Sequence, residues 1–462
     1  MEIAKTSQVS VTFLGGAGTV TGSKFLIETR DITVMIDCGM FQGLKDLRQL
    51  NWENLPVDVG AINMVLLTHA HLDHTGYLPR LVQQGFKGDI VGSEPTLAMT
   101  KIILEDSAHI QEEDAKRANK EQFTKHSPAI PFYNQKDVDK TLRLFKSIEM
   151  RSSFNISDTV RCRFLPVGHI LGASFIEMEI AGKRLVFSGD VGRPNDYLLP
   201  DPEKPTKADY LFLESTYGDR LHETSDPEAT IVSLVDKIIE NQGTLIIPSF
   251  AVERLQTLMY LLWTLIKSNK IPDIPVYVDS PMGNKVLSVF ERFSDDHKLS
   301  PAEFSAMCRH INIVQSYKET WQTIDKKGAK IVVAGSGMVT GGRVLTYLQQ
   351  LIDREETEIL LAGYQAIGTR GRQLQEGAHE VKIYGKYYSV KAGITTIDNL
   401  SAHADQSELL QWLDQLENAP EKVFLIHGEP ASSDALRVKL ETDKKWTVLI
   451  PALNEQVHLF QY

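Results

Sequence analysis

Residues 69–74 read His-Ala-His-Leu-Asp-His and combine imidazole and carboxylate groups in one short stretch. The apolar run at residues 61–67 predicts a buried strand before it, so the stretch occupies a strand-to-helix loop, which can hold side chains rigidly in a crevice. Imidazole is the commonest metal ligand. A curved loop could direct the first two histidines at one metal ion and the aspartate with the third histidine at another. We therefore predict a metal site; the alternative is a polar surface loop.

Other strand ends carry the same chemical groups. Asp37 ends an apolar strand and could be a plain turn residue, but we favour a role in which it accepts an imidazole N–H and fixes that ring's tautomer. His169 and Asp190 end two later predicted strands. Together these two residues supply a third imidazole for one metal ion and a carboxylate that can bridge two.

Composition limits the class of protein. With 462 residues, 42% hydrophobic and 24% charged, the chain is typical of a globular protein with two or three domains. Its formal net charge of −11 is unlike that of a protein gripping nucleic acid over a broad face, so a polyanionic substrate would need a local basic patch or metal ions.

The three cysteines have no Cys-x-x-Cys spacing, residues 1–8 contain no apolar core, and no apolar run approaches about 20 residues. We therefore expect no signal peptide, no membrane span and a cytoplasmic location.

The elements that must position these groups change in character along the chain. Residues 9–28 predict a hairpin, with the glycines at 15–18 in its turn. From about residue 209, strands alternate with helices, which indicates parallel βαβ units. We predict a first domain part at residues 1–208, an insert at 209–394, and the C-terminal part of the first domain at 395–462.

A glycine-rich segment in this insert, residues 335–343, lies between a predicted strand and helix, where backbone N–H groups favour anions. Tight packing is the alternative explanation for such glycines. Other polar residues also follow the ends of strands in this insert. Because parallel strands end at the same edge of a sheet, these residues would face one crevice. The candidate substrate-binding residues are Ser249, Ser280, Gly335, Ser336, Gly337, Thr340, Arg343 and Arg370.

At this point the motifs resemble a known family. Residues 69–74 resemble the His-x-His-x-Asp-His signature of the metallo-β-lactamase fold, and Asp37, His169 and Asp190 occupy the places of its other motifs. Three further positions resemble motifs A, B and C of the β-CASP branch, and the match runs over nearly the whole chain. These positions are Glu214, His403 and His427.

The resemblance implies an α/β fold in which an αββα sandwich carries the metals and a β-CASP domain, a parallel sheet flanked by helices, is inserted. A histidine at motif C is similar to the RNA-processing members. The stretch around His403 and the Gly-Thr-Arg-Gly loop resemble nucleases of the cleavage-and-polyadenylation-factor type, as found in bacteria, more than RNase J. Neither N-terminal KH domains nor a long RNase J-type tail is expected.

The resemblance also implies two Zn²⁺ ions per chain. One would be held by His69, His71 and His169. The other would be held by Asp73, His74 and His427, with Asp190 bridging. The implied catalytic residues are Asp73, His403, Glu214 and Asp37.

Within that set, His403 would protonate the leaving 3′-oxygen, and Glu214 would orient its ring. A purely structural residue at a helix start is the alternative for His403.

The implied function is a zinc-dependent ribonuclease acting on single-stranded RNA by a two-metal mechanism. It would cut internally and leave 5′-phosphate and 3′-hydroxyl ends. The alternatives are a non-nucleolytic metallo-hydrolase of a small ester, lactam or thioester, and a catalytically silent RNA-binding subunit. A homodimer is possible, because residues 259–263 read as either core or a dimer face.

Overall fold

The computed structural model describes residues 8–121, 128–222, 226–397 and 400–462, which form two compact units. The first unit comprises Met1–Asp196, Pro200–Leu221 and His403–Tyr462. The second comprises Tyr197–Leu199 and His222–Ala402.

The N-terminal segments of the first unit contain these elements: β1 (Gln8–Gly15), β2 (Lys24–Glu28), β3 (Thr33–Ile36), α1 (Lys45–Leu50), β4 (Met64–Leu66), α2 (Leu72–Thr75), α3 (Leu78–Gln83), β5 (Asp89–Ser93), α4 (Glu94–Glu121), α5 (Gln135–Leu142), β6 (Phe145–Ile148), β7 (Ser153–Asn155), β8 (Val160–Pro166), β9 (Ser174–Ile180), β10 (Lys183–Phe187) and β11 (Tyr210–Glu214).

The second unit contains these elements: α6 (Pro227–Glu240), β12 (Thr244–Pro248), α7 (Arg254–Lys267), β13 (Val276–Asp279), α8 (Pro281–Arg292), α9 (Pro301–His310), β14 (Asn312–Ile313), α10 (Tyr317–Asp325), β15 (Lys330–Ala334), α11 (Val344–Leu351), β16 (Thr357–Ala362), α12 (Arg370–Gln375), β17 (Glu380–Ile383), β18 (Lys386–Ser389) and β19 (Gly393–Ile397). The chain then returns to the first unit with α13 (Gln406–Trp412), β20 (Lys422–Ile426), α14 (Pro430–Lys439), β21 (Val448–Leu449) and β22 (Gln456–Gln461).

Two sheets face each other in the first unit. Their strand orders are β22-β1-β2-β3-β4-β5-β6 and β21-β20-β11-β10-β9-β8-β7. Alternate residues of the strands point between the sheets, so Phe13 of one sheet and Phe212 and Phe424 of the other share a buried cluster. The ring of Phe212 stacks on that of Phe424 with centroids 4.8 Å apart.

Helices cover the outer faces of both sheets. Leu26 and Met35 of the first sheet pack in a second buried cluster with Leu78 of α3 and Leu104 of α4. On the other sheet, Phe175 meets Trp412 of α13 edge-on. The αββα sandwich expected from the sequence is confirmed, and the hairpin expected at residues 9–28 is the antiparallel pair β1–β2.

The strand β11 lies in this sandwich, paired in parallel with β10 and β20. The sequence analysis expected the insert to begin at residue 209, and that boundary would have assigned β11 to the second unit. Similarly, β19 pairs with β16 in the second unit and runs three residues past the expected end of the insert at residue 394. Both strands are short and lie next to the points where the chain passes from one unit to the other, and nothing in their local pattern says which sheet they join.

The second unit is built on a parallel sheet with the order β14-β13-β15-β12-β16-β19. Because its strands run the same way, the loops that follow β12, β13 and β15 emerge at one edge. Residues 259–263 belong to the core of this unit, since Met259 and Leu262 are fully buried in α7.

No helix in the described part of the chain is both long and apolar enough to cross a bilayer.

Candidate active site

The histidine-rich loop follows β4 and runs into α2, and backbone hydrogen bonds hold it in place. The N–H of Ser23 donates to the carbonyl of Asp73 at 2.9 Å, and the N–H of Cys38 donates to that of His74 at 2.7 Å. Gly39 is required here, because a Cβ atom at this position would lie 1.5 Å from the Asp73 carbonyl oxygen. The loop is therefore fixed from behind by the ends of β2 and β3.

One group of donor atoms combines three imidazoles and a carboxylate oxygen. His71 Nδ1 lies 3.1 Å from His69 Nε2 and 3.2 Å from His169 Nε2. Asp190 Oδ2 lies 3.4 Å from His69 Nε2 and 3.6 Å from His169 Nε2. Tetrahedral Zn²⁺ with Zn–N bonds of about 2.0–2.1 Å needs donor atoms about 3.3 Å apart, so this group fits such an ion.

A second group lies beside it. His427 Nε2 is 3.3 Å from both Asp73 Oδ2 and His74 Nε2. Asp190 Oδ1 is buried, 3.4 Å from His74 Nε2 and 3.3 Å from His427 Nδ1, and the geometry gives it no well-formed hydrogen bond to either ring. A buried carboxylate oxygen in that state is costly unless a cation lies against it. Asp190 thus presents one oxygen to each group, as the sequence analysis expected of a bridging ligand.

The protonation states of the first donor group suit metal binding. Burial lowers the pKa of His69 to about 3 and that of His71 to about 4, and it holds the pKa of His169 well below its ordinary value. Burial opposes the charged form of Asp190, but the neighbouring imidazoles outweigh it and hold its pKa well below the usual range. Neutral imidazoles next to an ionised carboxylate are the forms that bind a divalent cation. In the second group, burial lowers the pKa of His74, but Asp190 and Asp37 outweigh it and hold that pKa well above its ordinary value.

Asp37 contacts the back of the site. Its carboxylate is 1% exposed and accepts hydrogen bonds from the backbone N–H and the hydroxyl of Thr68, both at 2.8 Å. His74 Nδ1 donates to the same carboxylate at 2.7 Å, which leaves Nε2 free to face the donor group. This is the contact that the sequence analysis expected of Asp37.

Two threonines orient other rings, and the sequence analysis missed both. Thr68 Oγ1 lies 3.1 Å from His69 Nδ1, and Thr216 Oγ1 lies 3.1 Å from His427 Nδ1. Each leaves the other ring nitrogen for the metal. Their position in the sequence could have identified them, because each threonine lies two residues after the end of a strand that carries the site, β4 or β11.

His403, whose side chain is 15% exposed, pairs with the fully buried Glu214 next to the first donor group. His403 Nδ1 lies 3.2 Å from Glu214 Oε1, which also accepts the N–H of Val191 at 2.7 Å. His403 Nε2 points toward Asp190 Oδ2, 4.0 Å away. Burial lowers the pKa of His403, but Glu214 outweighs it, so the pKa is raised above its ordinary value.

The candidate substrate-binding residues all lie in the second unit, and the structure brings several together. A Cβ atom on Gly335 would lie 3.3 Å from Ser280 Oγ and 3.8 Å from the Ser249 carbonyl oxygen. Ser336 Oγ accepts the N–H of Thr340 at 3.1 Å, which closes the glycine-rich loop on itself.

Several of these side chains are engaged by the protein. Ser280 caps α8 by accepting the N–H of Gly283. Arg343 Nη1 donates to Thr320 Oγ1 at 2.6 Å, and Arg370 Nη1 donates to the Val339 carbonyl at 3.1 Å. Gly337 packs against Phe250, whose Cδ2 would lie 2.5 Å from an added Cβ. Substrate binding by this set stays a prediction.

Three family profiles match consecutive parts of the chain. Residues 17–236 match the metallo-beta-lactamase superfamily, and residues 255–374 match the Beta-Casp domain. Residues 387–451 match the Zn-dependent metallo-hydrolase RNA specificity domain.

Curated relatives cover most of the chain. A ribonuclease of Thermus thermophilus is 33% identical over 422 residues, which is 90% of this chain and 92% of the relative. The transcription termination factor FttA of Methanocaldococcus jannaschii is 30% identical over 441 residues, covering 91% of this chain and 67% of that protein. An RNase J-like protein of the same organism is 28% identical over 448 residues, covering 96% and 98% of the two chains.

Among solved structures, a protein of unknown function from Enterococcus faecalis has the same fold. It matches with a TM-score of 0.53 and 14% identity, over 98% of this chain and all of that one.

The sandwich fold and its donor groups define a metal-dependent hydrolase of the metallo-β-lactamase superfamily. Within it, the chain belongs to the β-CASP family, the group of RNA-processing nucleases that its motifs resemble. The resemblance and the enzyme class expected from the sequence are confirmed.

Proposed function

We propose that this protein is a zinc-dependent ribonuclease that hydrolyses phosphodiester bonds of single-stranded RNA. It cuts internally and leaves 5′-phosphate and 3′-hydroxyl ends. The observation that carries the proposal is Asp190, whose two oxygens face two separate donor groups of the kind a binuclear phosphodiesterase needs. The 33% identity to a ribonuclease of Thermus thermophilus supports RNA as the substrate.

The residues that would hold two zinc ions are those that the geometry groups together. His69, His71 and His169 would hold one ion. Asp73, His74 and His427 would hold the other, and Asp190 would bridge them. When bound, such a pair lowers the pKa of water and neutralises charge on the phosphoryl group.

The protein's own groups complete the reaction. His403 delivers a proton from Nε2 to the leaving 3′-oxygen, because its Nδ1 is occupied by Glu214. Glu214 keeps its orientation through the N–H of Val191. Asp37 and the two threonines hold the imidazoles at fixed angles, so that water and phosphate meet a rigid site.

The alternatives are less well supported. Hydrolysis of a small ester, lactam or thioester does not need the His403–Glu214 pair. A catalytically silent RNA-binding subunit does not need an intact donor set. A homodimer remains part of the proposal, and light scattering of the purified protein would test it.

The deciding experiment compares zinc-loaded protein on 5′-labelled single-stranded RNA and on DNA of the same sequence, with and without chelator. Internal RNA fragments that disappear with chelator are expected, and mononucleotides appearing first would instead mean 5′-exonuclease action. His69→Ala should abolish cleavage, whereas His458→Ala, at an exposed position on β22, should not. If neither nucleic acid is cut, the small-substrate and silent-subunit alternatives replace the proposal.

A further inference from the structure

The hairpin formed by β17 and β18 in the second unit has one buried face and one exposed face. Val381 and Ile383 are 1% and 0% exposed and pack in the core. On the opposite face, Lys382 and Tyr387 are direct cross-strand partners, and Tyr387 is 62% exposed. A tyrosine in this position contributes little to the core of the unit.

The tip of the hairpin presents a second aromatic ring. Tyr384 and Gly385 have φ angles of 47° and 82°, so both central residues of the two-residue turn are in the left-handed region. Such turns favour Asn-Gly, and a bulky side chain at the first position is sterically unfavourable. Tyr384 is 44% exposed, so burial does not explain a tyrosine here.

Positive charge is concentrated on the same hairpin. Residues 379–391 contain Lys382, Lys386 and Lys391, all exposed, against the single acidic residue Glu380, although the chain as a whole carries −11. The ammonium of Lys382 lies 5.2 Å from the ring centroid of Tyr387. Exposed aromatic faces next to cations match single-stranded RNA, which offers unstacked bases and phosphates.

Arg370 connects the hairpin to the glycine-rich loop. Its Nε donates to the Lys382 carbonyl at 2.5 Å, and its Nη1 donates to the carbonyls of Val339 and Thr340. The guanidinium therefore holds the hairpin and residues 339–340 as one surface within the second unit. This makes Arg370 a positioning residue and leaves phosphate contact to the exposed Lys382.

We propose that Lys382, Tyr384 and Tyr387, here called the tyrosine–lysine hairpin, bind single-stranded RNA. Bases stack on the two tyrosines, and a phosphate contacts Lys382, which shares the exposed face with Tyr387. Lys386 pairs with Ile383 on the other face. The inference rests on the proposed function for the choice of RNA, but it concerns binding and not cleavage. Because stacking and phosphate contacts are insensitive to sequence, the hairpin should bind many sequences alike.

The test measures binding of a fluorescent single-stranded RNA of about 12 nucleotides, which is within the usual range of site sizes. The protein is the zinc-loaded full chain carrying His403→Ala, which limits cleavage during the measurement. Since stacking contributes about 1–3 kcal/mol per base, Tyr387→Ala should raise Kd by about 5- to 150-fold. Tyr387→Phe, which keeps the aromatic face, should restore most of the affinity. Trp321→Ala, an exposed aromatic position on α10, is the matched control and should leave Kd unchanged.

The salt dependence of RNA binding distinguishes phosphate contacts made by a lysine from base stacking on the tyrosines. Lys382→Gln should reduce the slope of log K against log salt by about 0.7, the value for one phosphate contact on a single strand. Lys318→Gln, at an exposed position on α10, should not change the slope. An unchanged Kd in Tyr387→Ala together with an unchanged slope in Lys382→Gln would overturn the proposal.

Two readouts keep this proposal distinct from the proposed function. Hydrolysis of a small activated phosphodiester should be the same in wild type and in Tyr387→Ala, because such a substrate has no further bases to stack on Tyr387 and the hairpin supplies none of the donor groups. Binding to the hairpin can be measured even if the protein cuts no RNA. If Tyr387→Ala dissociates an oligomer in light scattering and leaves Kd unchanged, the surface contacts a second copy of the chain and the RNA proposal fails.

Discussion

At the scale of residues, a hydrogen bond to one nitrogen of a histidine ring leaves the other nitrogen of that ring to face the donor groups. Asp37 and Thr68 engage the nitrogens of His74 and His69 that point away from the donor groups. Thr216 engages Nδ1 of His427, which also lies 3.3 Å from Asp190 Oδ1. Each contact fixes both the tautomer and the angle of its ring. The polar atoms behind the site are therefore as much a part of it as the ligands.

Replacing Asp37 by asparagine tests that idea. In Asp37→Asn, an amide N–H would face the Nδ1–H of His74 or the N–H of Thr68, so one contact becomes repulsive. Zinc affinity should fall by about 10- to 100-fold, the usual effect of losing such a partner. Competition with a chelating dye measures it, and Asp89→Asn, at an exposed position, is the control. Equal affinities in the two variants would remove the orienting role of Asp37.

His403 can be tested through the leaving group. His403→Ala should slow RNA hydrolysis by about 10²- to 10⁴-fold if this ring protonates the leaving 3′-oxygen. The rate of hydrolysis of a substrate with sulfur at that 3′ position should fall far less in this variant, because a thiolate leaves without a proton. Single-turnover rates on both substrates measure the difference. Equal losses on both would indicate that His403 only positions the substrate.

At the scale of elements, a buried lysine links the ends of β2 and β3. Lys24 is 1% exposed, and its ammonium donates to the carbonyls of Gly22 at 2.9 Å and Gly39 at 2.7 Å. It also lies 4.3 Å from the ring centroid of Phe41. The same segments bind the backbone of the histidine-rich loop, so the ammonium supports the loop from a distance.

This burial has a measurable pH dependence. Burial lowers the pKa of Lys24 to about 8 from the ordinary value of 10.5. Between these values the unfolded chain holds a proton that the folded protein releases, so this group makes the free energy of unfolding rise with pH. The rise would be about 3 kcal/mol in total, because each pKa unit corresponds to about 1.4 kcal/mol.

Denaturant unfolding of wild type and Lys24→Met at pH 7.5 and pH 10 measures the rise. The wild type should gain stability relative to the variant at the higher pH. Lys45→Met, at an exposed position, should show no such change. A difference between wild type and Lys24→Met that is the same at both pH values would mean that the ammonium does not titrate in this range.

At the scale of the whole molecule, each unit has its own buried core, and the donor groups belong to the first unit alone. Their ligands come from strand ends as far apart in sequence as His69 and His427. A bound cation therefore connects distant segments of one unit and should stabilise it against unfolding.

Metal removal tests this consequence. Zinc at about 100 times its Kd should stabilise the folded state by about 2.7 kcal/mol per site, because it binds the native protein and not the unfolded chain. A chelator should lower the Tm of the wild type and of His458→Ala. In His69→Ala the chelator should have a smaller effect, because one of the two sites has lost a ligand. A wild-type Tm that does not respond to chelator would contradict the metal-site assignment.

The sequence by itself determined most of the parts. The spacing of residues 69–74 and the groups at two strand ends predicted His69, His71, Asp73, His74, His169 and Asp190 as metal ligands, and the family resemblance added His427. Alternating apolar residues predicted the strands of the sandwich, and alternating strands and helices predicted the parallel sheet. These features are local, because ligand type and hydrophobic period depend on neighbours in the chain.

Only the tertiary structure decided how the parts meet. It placed β11 in the sandwich, set Thr68 and Thr216 behind the imidazoles, and directed one oxygen of Asp190 to each donor group. It also showed that Arg370 holds backbone carbonyls within the second unit. These outcomes depend on strand order, register and packing between residues far apart in sequence, and such contacts leave no period or spacing in the sequence itself.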